Sequence, residues 1–184
     1  MKQTIIPVTA ALLALGGCSL SGTGRQQAWD EVLSSMMPYL GHRNWIVVTD
    51  MAYPLQSGSG ITTLYADEPY TQVLGKVKGM IDEAPHVFAH IYNDRELAFV
   101  TDQMAPGIDA LRSEMKDICG DDASYCRHED IIEKLDRAGK LYSIVIIKTP
   151  LTVPYTTTFF ELDCGYWTAG KQAALDAAMD EANP

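Results

Sequence analysis

Basic residues are scarce in this chain. Fourteen Lys and Arg stand against 24 Asp and Glu, and the formal net charge is −10. That argues against a nucleic-acid partner, whose phosphates are held by clustered positive charge. It also argues against adhesion to an anionic membrane face by charge. A long hydrophobic run is missing too. The apolar stretch from Ile5 to Leu15 is too short to stay in a bilayer as a spanning helix. No CxxC pair occurs among the cysteines at positions 18, 119, 126 and 164, which weakens any metal assignment. There is no internal repeat, and low-complexity sequence is confined to a short stretch after Cys18 and to the tail.

What remains is enough for one domain of ordinary size. Hydrophobic residues make up 47% and charged residues 21% of 184, so a sizeable core can be buried. Residues 1–17, with Lys2 ahead of the apolar stretch and small residues behind it, have the make-up of a signal peptide. The ending Leu15-Gly16-Gly17-Cys18 resembles a bacterial lipobox. That resemblance implies cleavage before Cys18 and acylation of its thiol and new amino group, with the lipid anchor as the only membrane contact. Ser19, where an aspartate is absent, favours the periplasmic face of the outer membrane. Residues 18–26 are then the lipidated cysteine and a flexible tether. A domain over 27–167 and a helical tail over 168–184 follow.

Hydrophobic periodicity divides the domain further. Residues 27–40 have helical spacing, with Gly41 as the expected C-terminal cap. "WIVVT", 45–49, is a continuous β-branched run and is expected to be a strand buried on both faces. "ITTLYA", 61–66, is a second strand. Asp67-Glu68-Pro69 signals a helix that runs to about Asp82. "HVFAHIYN", 86–93, is a third strand. Helices are expected from Pro106 and over 127–140, strands over 141–149 and 157–165, and an alanine-rich helix in the tail. The alternation favours an α/β fold, a single three-layer α/β/α domain with a central mixed or mostly parallel sheet.

Several side chains stand out chemically. Asp50 follows the first strand directly, and ligand sites in α/β sheets collect beyond the carboxyl ends of strands. His42 enters the same strand. A fully extended stretch of eight residues is about 26 Å long at ~3.3 Å per residue, so the two cannot meet along one straight strand. Either the chain turns sharply, or the two have separate roles, or they meet between subunits. His128 opens a helix near Asp121 and Asp122. Cys119 and Cys126 bracket the polar turn "CGDDASYC" and are the expected disulfide in an exported protein. Two free thiols or a metal site are the alternatives, and His128 alone does not complete a ligand set. Cys164 is expected to be a buried free thiol.

The stretch "LGHRNWIVVTDMAYP", 40–54, resembles the opening motif of the ribose pyranase / fucose mutarotase family. Leu40, Gly41, His42, Asp50 and Pro54 fall in its register. "QVLGKV", "RHED" and "VPYTTTFFELDCG" match later family segments in the correct order, over roughly residues 30–167. The resemblance implies a cofactor-free, metal-free isomerase that opens and recloses the ring of a free monosaccharide. It implies His42 and His128 as proton-transfer groups, with Asp50 orienting a histidine or holding a sugar hydroxyl. Tyr155, Thr157 and Asn44 would contact the sugar. It also implies a ring-shaped homo-oligomer with sites shared between subunits. Thr157 replaces the family's asparagine, Asn44 stands where an acid is common, and a lipid anchor departs from the family's cytoplasmic setting. A non-catalytic carbohydrate-binding or assembly module on the same fold is the alternative, followed by an interaction protein that binds no sugar.

Overall fold

The structure is a computed structural model and describes residues 27–182. The expected signal segment, the acylated Cys18 and the tether lie outside the described residues. Among the described residues six strands form one sheet: β1 (Trp45–Thr49), β2 (Ile61–Tyr65), β3 (Val87–Asp94), β4 (Ser124–Cys126), β5 (Ile144–Lys148) and β6 (Thr158–Cys164). Among the described residues five α-helices accompany them: α1 (Trp29–Met36), α2 (Tyr70–Glu83), α3 (Ile108–Cys119), α4 (His128–Ala138) and α5 (Ala169–Ala182). The strand order is β2-β5-β1-β6-β3-β4. β1 and β2 each pair parallel with β5, and β4 pairs parallel with β3, whereas β6 runs antiparallel to both β1 and β3. The sheet is therefore mixed, within a three-layer α/β arrangement.

β1 lies between β5 and β6, and all five of its side chains are buried. That is why it reads as an unbroken apolar run and not as an alternation. Ile46 and Val48 face the larger core cluster with Leu33 of α1, Val73, Leu74, Val77 and Ile81 of α2, and Ile108 and Met115 of α3. Trp45 and Val47 face the opposite cluster with Ile131 and Leu135 of α4. Fully burying each such side chain contributes about 1.5–3 kcal/mol. One face of the sheet thus carries three helices and the other carries α4.

Local chemistry sets the helix limits. α1 stops at Met36, short of the expected residue 40, and tightens into a 3-10 turn over Met37–Tyr39. Pro38 has no N–H to donate, so the α-helical ladder cannot continue through it. Met37, not Gly41, caps α1. Gly41 belongs instead to the next turn, where Asn44 N–H donates to its carbonyl at 3.0 Å. Gly165 ends β6 against the backbone of Val87, where an added Cβ would lie 2.9 Å from the Val87 nitrogen. α5 has no buried residue, and among the described residues no helix is long and apolar enough to cross a membrane.

The expected disulfide is corrected. Cys119 and Cys126 are free thiols. Cys119 ends α3 inside the larger core cluster, while Cys126 packs against the cluster on the other side of the sheet. Burial pushes the Cys119 thiol up to about 11. The third thiol, Cys164, is free as expected but only half-buried.

Candidate active site

The chain leaves β1 at Thr49, and Asp50 turns it out of the sheet. The Asp50 carboxylate accepts the Ala52 N–H at 2.7 Å, which fixes its orientation at the start of the loop. Met51 N–H donates to Leu151 O at 2.7 Å, and Thr149 N–H to Thr49 O at 3.0 Å, so the segments after β1 and β5 leave the sheet together. Lys148 Nζ donates to Tyr53 O at 2.6 Å and holds the next part of the loop down. Between these segments and the first turn of α4 lies a cavity of about 520 Å³. Asp50, Gln56, His128, Tyr155 and Thr157 supply its polar lining, and Met51, Pro54, Ile132 and Val153 are among its apolar walls.

Four of the sequence-derived residues therefore meet here: Asp50, His128, Tyr155 and Thr157. His128 is the first residue of α4, and its backbone N–H donates to Glu96 Oε2 at 3.0 Å. An acid at a helix N-terminus satisfies a free donor and complements the dipole. The Tyr155 ring meets the His128 ring edge-on at 5.8 Å between centroids. Tyr155 has φ 60°, a left-handed conformation that costs a bulky residue about 1–2 kcal/mol. Strain of this kind collects at functional sites. Thr157 is buried, and its hydroxyl shares a 2.8 Å hydrogen bond with Thr49 Oγ1. A hydroxyl has one donor and two acceptor positions, so capacity remains for a ligand.

His42 and Asn44 do not join this cavity. They precede β1, whereas the cavity lies beyond its carboxyl end. His42 Nε2 lies 3.6 Å from Asp163 Oδ1, and His90 Nε2 lies 3.3 Å from Asp163 Oδ2. Asp163 is near the far end of β6, whose first residue, Thr158, pairs with Val48. Within one chain His42 is therefore separated from Asp50 by the length of the strand. Asn44, expected to contact the sugar, lies outside this cavity, and its Oδ1 accepts the Gly41 N–H at 2.7 Å while its Nδ2 donates to Ser143 O at 3.3 Å. Both ends of its side chain hold the turn into β1.

Two contributors were not singled out from the sequence. Gln56 lines the cavity, and its buried Oε1 has no hydrogen-bond partner. Asp94 ends β3 with no exposure to solvent, and its Oδ1 lies 3.1 Å from His128 Nδ1. The pair is close but misaligned, so neither Asp94 oxygen nor His128 Nδ1 has a well-formed hydrogen bond. Burial pushes the Asp94 carboxyl up to about 6, against the pull of His128 and with help from Glu96 and Asp50. The strand-end rule that marks Asp50 would have marked Asp94 had β3 been extended by one residue. Among the described residues no group of three or more His, Cys, Asp or Glu is placed to hold a metal ion. The arrangement offers an imidazole and carboxylates beside a half-open, largely apolar space, which is equipment for proton transfer.

No protein-family model matches the chain, and no curated protein does. Solved structures do. The chain is similar to FucU from Bifidobacterium longum at 15% identity over 72% of this chain and 92% of that one, with TM-score 0.50. The fucose mutarotase of Streptococcus pneumoniae, solved with L-fucose, has 19% identity over 78% and 98%, with TM-score 0.49. RbsD of Bacillus subtilis, complexed with D-ribose, has 19% identity over 76% and 97%, with TM-score 0.46. At 15% identity the match to FucU is a likeness of fold, and this chain shares that fold.

Proposed function

We propose that this protein is an isomerase that interconverts the cyclic forms of a free monosaccharide by acid–base ring opening. The observation that carries this is the convergence of Asp50, His128, Tyr155 and Thr157 on one cavity at the carboxyl end of β1. Ring opening needs one group to take the proton of the anomeric hydroxyl and another to protonate the ring oxygen. The carbonyl is made and consumed within the sugar, so the chain's own residues can carry the whole reaction. His128 is the proton-transfer group within the chain. Asp50 and Thr157 receive sugar hydroxyls, and Tyr155 covers the ring. Each positioned acid or base contributes ~10²–10⁴-fold.

The second proton-transfer group is His42 of a second copy. Its exposure of 56% in the single chain and its distance from the cavity fit a residue that serves a neighbour. A homo-oligomer, a ring of copies with sites shared between subunits, is thus part of the proposal. So is a lipid anchor at Cys18 on the periplasmic face of the outer membrane, supported by the Leu15-Gly16-Gly17-Cys18 sequence. A carbohydrate-binding module without catalysis is the second reading, and the observation favouring it is the absence of His42 from the cavity of its own chain.

Magnetisation-exchange NMR between the anomeric protons of ribose, fucose, galactose and glucose tests the proposal on the full chain. Accelerated exchange for at least one sugar is expected, and its loss in His128→Ala and in His42→Ala. Saturable sugar binding with no acceleration would overturn catalysis in favour of the binding module. No binding of any of the four sugars would overturn both.

A further inference from the structure

We infer that Asp94 is the positioning residue of this site: its buried carboxylate fixes the orientation and tautomer of His128, so that the ring presents Nε2 to the cavity. The inference rests on the proposed role of His128 as the proton-transfer group.

Asp94 has no other evident use. It immediately precedes a 3-10 helix over Arg95–Phe99, where an aspartate would be a natural cap, yet its side chain makes no capping bond. It is fully buried, and neither oxygen has a well-formed partner. A buried carboxylate in that condition is costly, and an apolar side chain of similar size would avoid the cost. His128 Nδ1 lies 3.1 Å from Asp94 Oδ1 and is itself buried without a well-formed partner among the described residues. That separation is within hydrogen-bonding distance. Among the described residues His128 makes no other side-chain ion pair or hydrogen bond, and it retains 30% exposure where it lines the cavity.

The chemistry follows from the inventory of imidazole. An ionised Asp94 accepts from Nδ1–H, and a neutral ring protonated at Nδ1 carries its lone pair on Nε2. Nε2 can then take the proton of the anomeric hydroxyl as the ring oxygen leaves the anomeric carbon with the bonding pair and takes a proton from the second proton-transfer group, and reclosure reverses both transfers. The imidazolium so formed is stabilised by Asp94, and Nε2–H can return the proton on reclosure. Nothing is oxidised or reduced, and the proton count is restored each turn. The charged groups acting on Asp94 are His128, which favours its ionised form, and Glu96 and Asp50, which oppose it. The buried phenols of Tyr53 and Tyr70 also feel its charge, and burial drives both far above the ordinary tyrosine range.

The test is ¹⁵N NMR of the His128 ring in the full chain, read beside the sugar-exchange rate. Wild type is expected to hold a single Nδ1–H tautomer at pH 7.5. Asp94→Asn is expected to give mixed or inverted tautomers, and a fall in the maximal exchange rate of ~10²-fold or more with little change in the half-saturating sugar concentration. An unchanged His128 tautomer in folded Asp94→Asn would overturn the inference, whatever the rate does. Should Asp94→Asn not fold, His128→Ala read at the Asp94 carboxyl carbon serves instead. Loss of the imidazole is expected to move its titration upward, and no movement would overturn the coupling. If wild type exchanges no sugar but the tautomer responds to Asp94→Asn, the inference stands and the isomerase proposal falls.

Discussion

Replacing Asp94 by Asn should make the protein more stable while making it a poorer catalyst. The reason is the sign of the Asp94 shift. Its carboxyl titrates at about 6 in the fold, against an ordinary 3.8, because burial disfavours the charge. Between these values the native state holds the proton more tightly than the unfolded chain does. The stabilisation from Asp94 is therefore complete below pH 4 and is lost as pH rises through 6. At 1.36 kcal/mol per pH unit of displacement, ionising Asp94 inside the fold costs about 3 kcal/mol. Asn has the same shape and never ionises. Asp94→Asn should thus be more stable than wild type at pH 7.5, by up to about 3 kcal/mol, and close to wild type at pH 4. Urea unfolding of both proteins across pH 4–8, followed by tryptophan fluorescence, measures the difference directly. If Asp94→Asn is less stable than wild type at pH 7.5, then the ion pair with His128 outweighs burial, and the sign argued here is wrong.

Two other expectations concern assembly and the thiols. Mixing His42→Ala with His128→Ala, each inactive alone, should restore about a quarter of the wild-type sites if every site combines the cavity of one copy with His42 of another. No recovery after demonstrated subunit exchange would refute a site shared between copies. Because Cys119 and Cys126 are free, reductant should leave the melting temperature unchanged, whereas losing a disulfide would cost about 2–4 kcal/mol. Cys119, buried and with its thiol at about 11, should react with a thiol reagent far more slowly than Cys126.

Some of this was legible in the sequence, and the reasons are physical. "WIVVT" reads as a buried central strand because burial on both faces removes every polar position, and β1 is such a strand. The carboxyl end of that strand marks Asp50, and Asp50 does line the cavity. β4 escaped notice because Ser124, Tyr125 and Cys126 form a three-residue edge strand with little burial to leave a pattern. The helical spacing up to Leu40 suggested a longer α1, but the residues after Met36 reach the core through a tighter turn set by Pro38. The Cys119–Cys126 spacing looked suitable for a disulfide, yet the chain passes from one face of the sheet to the other between them. Asp94 sits before Arg95 and Glu96, and three charged residues in a row resemble a solvated loop. Only the packing of α4 over the end of β3 makes the first of them a buried partner for His128.

β6 lies between β1 and β3, and it is the last of the described strands to leave the ribosome. Without it the sheet falls into two unconnected parts, β2-β5-β1 and β3-β4. β5, which joins β1 to β2, is also late, and the register Trp45↔Ile144 links residues about a hundred positions apart. Such pairings are slow to form because long loops must close before any contact repays them. The nascent chain therefore has no complete sheet until residue 164 is made. For that interval the unpaired edges of β1 and β3 stand open to other chains.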